Sequence, residues 1–463
     1  MMEVMKKVNK IKNRIKELYL NREEIFVIGF SGGKDSTLVL TLFLEVLMEL
    51  KEEGFVLKKS YVISSDTLIE NPIVTTMINR AKEGLAQYKE SLNIEFHHVL
   101  PRTDETFWSV VLGNGYPLPL NKFRWCTRNL KIRPINIKNG EIALHEKNNI
   151  ISVMGLRKKE SASRKAKMEE NATDEKDLMI NKEAEYSTVF APISDLSIEE
   201  LWRYLLYKQK SEWNLDFREL YEAYFDSSNE CPMALEIAQK EEMIEKCGNS
   251  RWGCWMCPLA NTLWIDNMVD NGYTDFKPLA DLRKKMISER DNRENRYLGS
   301  HRILKNGTIT LYPRGLVKLK KKEGSIIIQK KGNRDERIFT IHEGYLVESN
   351  GRKYPVYDKE YYYNEFKEHP ERFYDDEVGG LISYFVLDGN DYFAPSTGPY
   401  TIQYRKMLLR ILIDLKKQYN DVNLEVFGVK YIDIISEEEI NHIERLQDQI
   451  QQEISRFINR AKK

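Results

Sequence analysis

Residues 25–40 read IFVIGFSGGKDSTLVL, and within them Ser31, Gly32, Gly33, Lys34, Asp35 and Ser36 have the types and spacing of an anion site. Two glycines let the backbone approach a phosphate with no Cβ in the way. An apolar strand before them and a helix pattern after them place free N–H groups and the positive end of a helix dipole at the same point. Ser31 and Ser36 add hydroxyl donors, and Lys34 adds a mobile positive charge. The spacing is not the Walker pattern, because the four-residue spacer and the Gly-Lys-Ser/Thr ending are absent. An ordinary glycine turn is the bland alternative, but six such residues between a strand and a helix point to a site for ATP or a close relative.

The cysteines form a second group. Cys254 and Cys257 make a C-x2-C pair in CGNSRWGCWMCP, which begins with Cys247, and Cys231 precedes them in ECPM. Four thiolates in this pattern suit either a structural Zn²⁺ or an iron–sulfur cluster. Trp252 and Trp255 would shield either from water, so composition leaves both open. Cys126 stands apart in KFRWCTRNLKIRP, among Arg124, Arg128, Lys131 and Arg133. Their field predicts a lowered thiol pKa and a reactive thiolate, and it would also attract a phosphate-bearing substrate.

Strands alternating with helices are needed to position these groups. Residues 60–67 (SYVISSDT), 94–100 (IEFHHVL) and 149–155 (NIISVMG) are short apolar runs, and 72–90 reads as a helix. The fold class expected is α/β, a doubly wound parallel sheet, followed by a helical cysteine-rich region and a mixed α+β C-terminal part. Ligands in such sheets sit beyond the carboxyl ends of the strands, which is where Ser65, Asp66, Gly155 and Arg157 fall. Residues 157–187 are highly charged and read as a mobile loop able to close over the site. Ser197 to Glu200 is a capping-box start for a helix running through Tyr207. Beyond about residue 301, KNGT (305–308) and SNGR (349–352) are hairpin signals, and the tail is helical at 399–419 and 436–461. The division expected is 1–225, 226–300 and 301–463.

A chain of 463 residues with 41% hydrophobic content supports two or three domains, and a formal net charge of zero argues against a generic nucleic-acid coat. No apolar run reaches membrane-spanning length. The first twenty residues read as an amphipathic helix, not an export signal, so no membrane partner is expected. The cysteines are then expected in a reducing cytoplasm. One local exception to neutrality is residues 302–337, with eleven basic residues, Lys320, Lys321 and Lys322 among them, against three acidic ones. A solvated hairpin face and a phosphate-contacting ribbon for DNA remain equal readings of that run.

SGGKDS, SSDT, RWCTRNLKIRP and GLRKKESASR together resemble the phosphoadenosine-phosphosulfate reductase branch of the PP-loop ATP pyrophosphatases, which split ATP to AMP and pyrophosphate. ECPM, CGNSRWGCWMCP and GPYTIQYRKMLLRILI (398–413) are similar, more narrowly, to the DndC family of bacterial DNA phosphorothioation. The resemblance covers roughly residues 1–300 and 390–420, and leaves 301–390 unmatched. It implies ATP with Mg²⁺, a 4Fe-4S cluster with zinc as the alternative, and catalytic roles for Lys34, Asp35, Cys126 and Arg157. Ser31 to Ser36 would hold the pyrophosphate end of ATP, and Ser65 and Asp66 the nucleoside. Gly155, Arg157 and Arg164 would face the phosphates or the incoming substrate. Five cysteines compete for four ligand positions: Cys231, Cys247, Cys254 and Cys257 are expected as ligands with Cys126 relaying sulfur, although Cys126 could replace Cys231.

The partners implied are DNA, a cysteine desulfurase as sulfur donor, and other phosphorothioation proteins of the DndD and DndE type. The activity implied is ATP-dependent sulfur transfer to the DNA backbone. Rival expectations are a reductase of adenylyl or phosphoadenylyl sulfate, an RNA thiolase, and a non-catalytic nucleotide-gated subunit of a DNA-binding complex.

Overall fold

The apolar run at residues 25–30 forms strand β1 (Ile25–Gly29), and its alternate side chains are buried on opposite faces. Ile25 and Val27 join Tyr61, Ile63, Val99, Ile142 and Ile150 in one cluster. Phe26 points the other way, its ring 5.3 Å from that of Tyr19 and 5.8 Å from that of Phe43. A strand covered on both faces needs a continuous rather than an alternating apolar pattern. Each such side chain contributes roughly 1.5–3 kcal/mol by leaving water.

In this computed structural model, residues 1–120, 123–182, 184, 186–228, 253–259, 263–290, 292, 295–298, 300–303, 309–312, 316–322, 325–328, 337–348, 351, 353–361, 364, 374–375, 380–381, 385–395, 397–420 and 426–461 are described. They divide into two units. The first comprises 1–107, 119–284 and 415–434, and the second 108–118, 285–414 and 435–463.

The first unit is built on a six-stranded sheet. Strand β1 pairs with β2 (Ser60–Ser65), which pairs with β3 (Ile94–Val99); on its other side β1 pairs with β4 (Ile150–Val153), which pairs with β6 (Ser187–Phe190) and then the edge strand β5 (Leu178–Ile180). All neighbours are parallel except β5 and β6. The strand order therefore reverses between β1 and β4, and a crevice opens at their carboxyl ends. Helix α2 (Lys34–Glu52) packs on β1, and α1 (Met2–Asn21) packs on α2. Helix α3 (Pro72–Ala86) packs on β3. A short turn α4 (Trp125–Thr127) leads through a wide π-type turn at Arg128–Ile132 into α5 (Arg133–Glu146), which covers β1, β2 and β3.

The charged stretch at 157–187 is not a loop throughout. It contains α6 (Ala162–Glu170) as well as β5, with Ser161 accepting the Arg164 N–H as an N-cap. Met168, Met179 and Ala191 form a small buried cluster beneath it. A few well-placed apolar residues therefore suffice to order a segment whose composition is otherwise polar. Helix α7 (Ile198–Lys208) begins with the expected capping box between Ser197 and Glu200. Helices α8 (Phe217–Ser228) and α9 (Trp264–Asp270) belong to the same unit, as does α10 (Lys277–Glu289) as far as Lys284.

The second unit holds an eight-stranded sheet whose edges are Leu316–Lys318 and Lys320–Lys322. Its core contains Leu319, Phe339, Leu346, Tyr354 and Phe385. KNGT, residues 305–308, and three residues of SNGR lie outside the described residues, but the strands flanking each signal pair antiparallel. Its helices are Ile402–Asn420, as far as Asp414, and Glu437–Ala461. Among the described residues, no helix is long and apolar enough to cross a membrane.

At the crevice, the segment after β4 touches the turn after β1. A Cβ on Gly155 would lie 2.7 Å from the Asp35 carbonyl carbon and 2.8 Å from the Ser36 nitrogen. Both neighbours are backbone, so neither can rotate away. Gly155→Ala is expected to lower stability by about 1–3 kcal/mol, the usual cost of overpacking, and to weaken whatever anion binding the displaced turn supports. Thermal unfolding and calorimetric titration would check both, and an unchanged melting curve would contradict the contact.

Candidate functional site

Strand β1 delivers Ser31–Ser36 to the crevice as a turn that is already braced. Gly32 has φ +67°, a left-handed conformation that costs glycine little. A Cβ on Gly32 would lie 3.2 Å from the Val74 carbonyl oxygen, so the turn is also fitted closely to α3. Ser31 N donates to Ser36 Oγ at 3.2 Å, and Ser36 Oγ donates to the Gly33 carbonyl at 3.0 Å. The two hydroxyls lie 3.1 Å apart. These serines hold the curvature of the turn, a task beyond the ligand-donor role expected from their type alone.

The charges around the turn are paired. Lys34 Nζ lies 3.5 Å from Asp35 Oδ2 and 4.7 Å from the centre of the Tyr224 ring. Burial pulls the Lys34 ammonium down, but Tyr224 and Asp35 together outweigh it and leave its pKa raised. Arg157 is 3% exposed and donates from Nε to Asp35 Oδ1. Arg164, in the first turn of α6, pairs with Glu160 of the preceding turn at 2.7 Å. The Glu160 charge is in turn felt at Lys34. The structure thus gathers Ser31–Ser36, Gly155 and Arg157 directly, and links Arg164 to them through Glu160.

A second cluster forms after β2. Ser65 ends that strand, and Asp66 Oδ1 accepts the Leu68 N–H at 2.8 Å. Burial raises the Asp66 pKa, an effect the His98 ring 3.9 Å away only partly opposes. The buried carboxylate of Glu70 accepts from Lys131 Nζ at 3.0 Å and from Thr67 Oγ1 at 3.3 Å. Cys254 Sγ sits 3.3 Å from Thr67 Oγ1 and 3.8 Å from Glu70 Oε2. The negative charge of Glu70 is the main cause holding the Lys131 ammonium in its charged form. Glu70 was readable as a carboxylate just past a strand's carboxyl end, four residues after Asp66, but its ion pair was not.

The C-x2-C pair is a tight turn fastened to that same loop. Cys257 N donates to the Cys254 carbonyl and Trp255 N to the Ile69 carbonyl, each at 3.0 Å. Trp264 Nε1 donates to the Gly253 carbonyl at 2.7 Å, and Arg283 Nε donates to the Cys257 carbonyl at 3.1 Å. Burial, then the Glu70 charge, pushes the Cys254 thiol up to about 12. Cys231 and Cys247 lie outside the described residues, as does Trp252.

The lowered pKa expected for Cys126 is not found. Burial pushes this thiol up, and the Cys257 charge pushes the same way, against hydrogen bonds at Thr127. Its basic sequence neighbours act elsewhere, Lys131 on Glu70 and Arg133 on Glu105. Cys126 is therefore a half-buried thiol rather than a preformed thiolate. Among the described residues, no three His, Cys, Asp or Glu side chains are arranged to hold a metal ion. The donor chemistry nevertheless fits a soft metal centre, since three thiols lie among buried Trp125, Trp255 and Met256 and deprotonation there needs a compensating cation.

The descriptive profile of the phosphoadenosine phosphosulfate reductase domain matches residues 25–260. An uncharacterized protein of Methanocaldococcus jannaschii is 26% identical over 247 residues, which are 53% of this chain and 38% of that protein. The chain therefore spans well under half the length of that relative. Among solved structures, phosphoadenylyl-sulfate reductase of Candida auris is 11% identical, with 42% of this chain and 79% of that chain covered at a TM-score of 0.28. The U34-tRNA thiolase of Methanococcus maripaludis, with its 4Fe-4S cluster, is 13% identical, with 61% and 80% covered at a TM-score of 0.27. Overlap at that level does not extend to function. The profile match spans just over half of the 463 residues, from the first strand to the cysteine turn, and this chain belongs to the phosphoadenosine phosphosulfate reductase domain family.

Proposed function

We propose that this protein is a sulfurtransferase of the DndC type, using ATP to activate a DNA backbone phosphate for sulfur insertion. The observation that carries the reading is the pairing of a braced turn at the β1/β4 crevice with a half-buried cysteine turn fastened to the loop after β2. A phosphodiester oxygen is a very poor leaving group. Its attack on the α-phosphorus of ATP forms an adenylated phosphate and releases pyrophosphate. A sulfide-level nucleophile then attacks the DNA phosphorus, and AMP departs with the original oxygen.

In this scheme Lys34 and the turn amides hold the pyrophosphate end, with Mg²⁺ arriving on the nucleotide. Arg157 fixes Asp35, and Ser65 and Asp66 meet the nucleoside. Sulfur comes as a persulfide from a cysteine desulfurase, with a thiol reductant releasing it at the sulfide level. Proteins of the DndD and DndE type would present the DNA. The basic run at 302–337 supplies the edge strand Lys320–Lys322, where lysines also guard a sheet against edge-to-edge pairing; DNA contact there is part of the proposal.

Cys254 and Cys257 would hold two corners of an iron–sulfur cluster and Cys126 a third, drawn in as the cluster forms, since the three thiols are not grouped to hold a metal ion on their own; the fourth would come from Cys231 or Cys247. We prefer this to the relay role for Cys126, because a half-buried thiol whose pKa is raised is better suited to ligation than to free nucleophilic attack. A bound cluster would supply a thiophilic site able to hold sulfur.

Lys34→Ala is expected to reduce pyrophosphate release by about 10²–10³-fold, the effect of removing one charge-stabilising donor. It should also abolish phosphorothioate linkages in DNA reconstituted with ATP and desulfurase. Sulfur incorporation without ATP cleavage would overturn the adenylation scheme. Separately, anaerobically purified Cys126→Ser should lose iron and sulfide as fully as Cys257→Ser. Retained iron in Cys126→Ser, with sulfur transfer lost, would return Cys126 to the relay role, and zinc in the wild-type protein would replace the cluster altogether.

A further inference from the structure

Helix α2 starts at Lys34 with no side chain of its own end to cap it, because its N-cap is Gly33. The Lys34 N–H is thus an orphan donor at a helix N-terminus. Its partner is remote in sequence: the hydroxyl of Tyr224, on α8, accepts it at 3.2 Å. The same hydroxyl lies 3.1 Å from the position a Cβ would take on Gly33, so the phenol is pressed against the turn itself. The Tyr224 ring also lies beneath the Lys34 ammonium, 4.7 Å from Nζ to the ring centre.

We propose that Tyr224 is an affinity-setting residue of the phosphate turn, its hydroxyl occupying the place at the Lys34 amide that a pyrophosphate oxygen takes and yielding it when that ligand binds. The inference rests on the reading of the turn as a nucleotide-pyrophosphate site. Burial keeps the phenol protonated. A neutral oxygen is a weaker partner than an anion for an N–H at the positive end of a helix, so the exchange favours the charged ligand. The contact stabilises the empty turn by satisfying its amide, and it lowers affinity by the same amount, because that hydrogen bond must break first. It also holds Lys34 over the ring, and the incoming phosphate competes for that ammonium.

The exchange has a local reporter. The Tyr224 ring packs edge-on against Trp202 on α7, with ring centres 5.5 Å apart and planes at 71°. Displacement of the phenol changes the surroundings of that indole.

The test is calorimetric titration of inorganic pyrophosphate into the full chain, wild type and Tyr224→Phe. Phenylalanine keeps the ring beneath Lys34 and removes only the hydroxyl. The variant is expected to bind pyrophosphate about fivefold more tightly, the equivalent of one ordinary hydrogen bond. Equal or weaker binding by the variant overturns the exchange, weaker binding making Tyr224 a ligand instead. Failure of both proteins to bind pyrophosphate would overturn the nucleotide reading along with it. Tryptophan emission decides independently of the variant's folding. Pyrophosphate should change the emission of the wild-type protein, and Trp202→Phe should abolish that change. A change that persists in Trp202→Phe, or none in the wild type at saturation, would contradict the exchange.

Discussion

The contact between the backbone at Gly155 and the backbone at Asp35 and Ser36 is the constraint on which the turn after β1 depends. Strands β1 and β4 are neighbours, but the connections leaving their carboxyl ends belong to opposite halves of the sheet. An open crevice at that point would leave the turn after β1 supported on one side only. Because Gly155 carries no side chain, the segment after β4 closes to within van der Waals contact and carries Arg157 to Asp35. The turn at Ser31–Ser36 is then braced by α3 at Gly32, by its own serines, and by this contact. A ligand bound there would need no binding energy to order the turn.

The second cluster obeys a different constraint, the cost of buried charge. Glu70 is buried and expensive to desolvate alone, and it persists because Lys131, whose side chain reaches in from the surface, supplies its counter-charge at 3.0 Å. Removing Lys131 would leave the Glu70 charge unpaired beside Cys254. The pair is therefore weak evidence for stability and better evidence for a fixed arrangement, since it joins the loop after β2 to the helix that carries Cys126. The raised thiols at Cys126 and Cys254 follow from the same dryness.

How much of this was legible depended on how local each signal was. The six residues of the turn and the strands around 25–30, 60–65, 94–99 and 150–153 were readable because periodicity and glycine spacing act within a few residues. The segment at 157–187 was misread because composition averages over the few residues, Met168 and Met179 among them, that anchor it. Cys126 was misjudged because charge next to a thiol in sequence says nothing of where that charge points, and here Arg133 and Lys131 are held by carboxylates of other segments. Tyr224 carried no sequence signal as a partner of the turn, since it acts across the fold.

The helix bearing Cys126 shows how one backbone irregularity can reconcile these demands. Residues five apart on a regular α-helix point about 140° away from each other, so Cys126 and Lys131 would face different surroundings. Pro134 lacks the N–H that the Leu130 carbonyl would otherwise receive. The chain instead widens at Arg128–Ile132, with Arg133 N bonded to the Arg128 carbonyl. A turn closed by i→i+5 bonds rotates less per residue, so residues five apart face more nearly the same way than on an α-helix. The thiol of Cys126 then lies within the field of Cys257, while the ammonium of Lys131 reaches Glu70 beside Cys254. The proline that looks like an obstacle to the helix is thus a physical reason why one helical segment can address both ends of the cysteine turn.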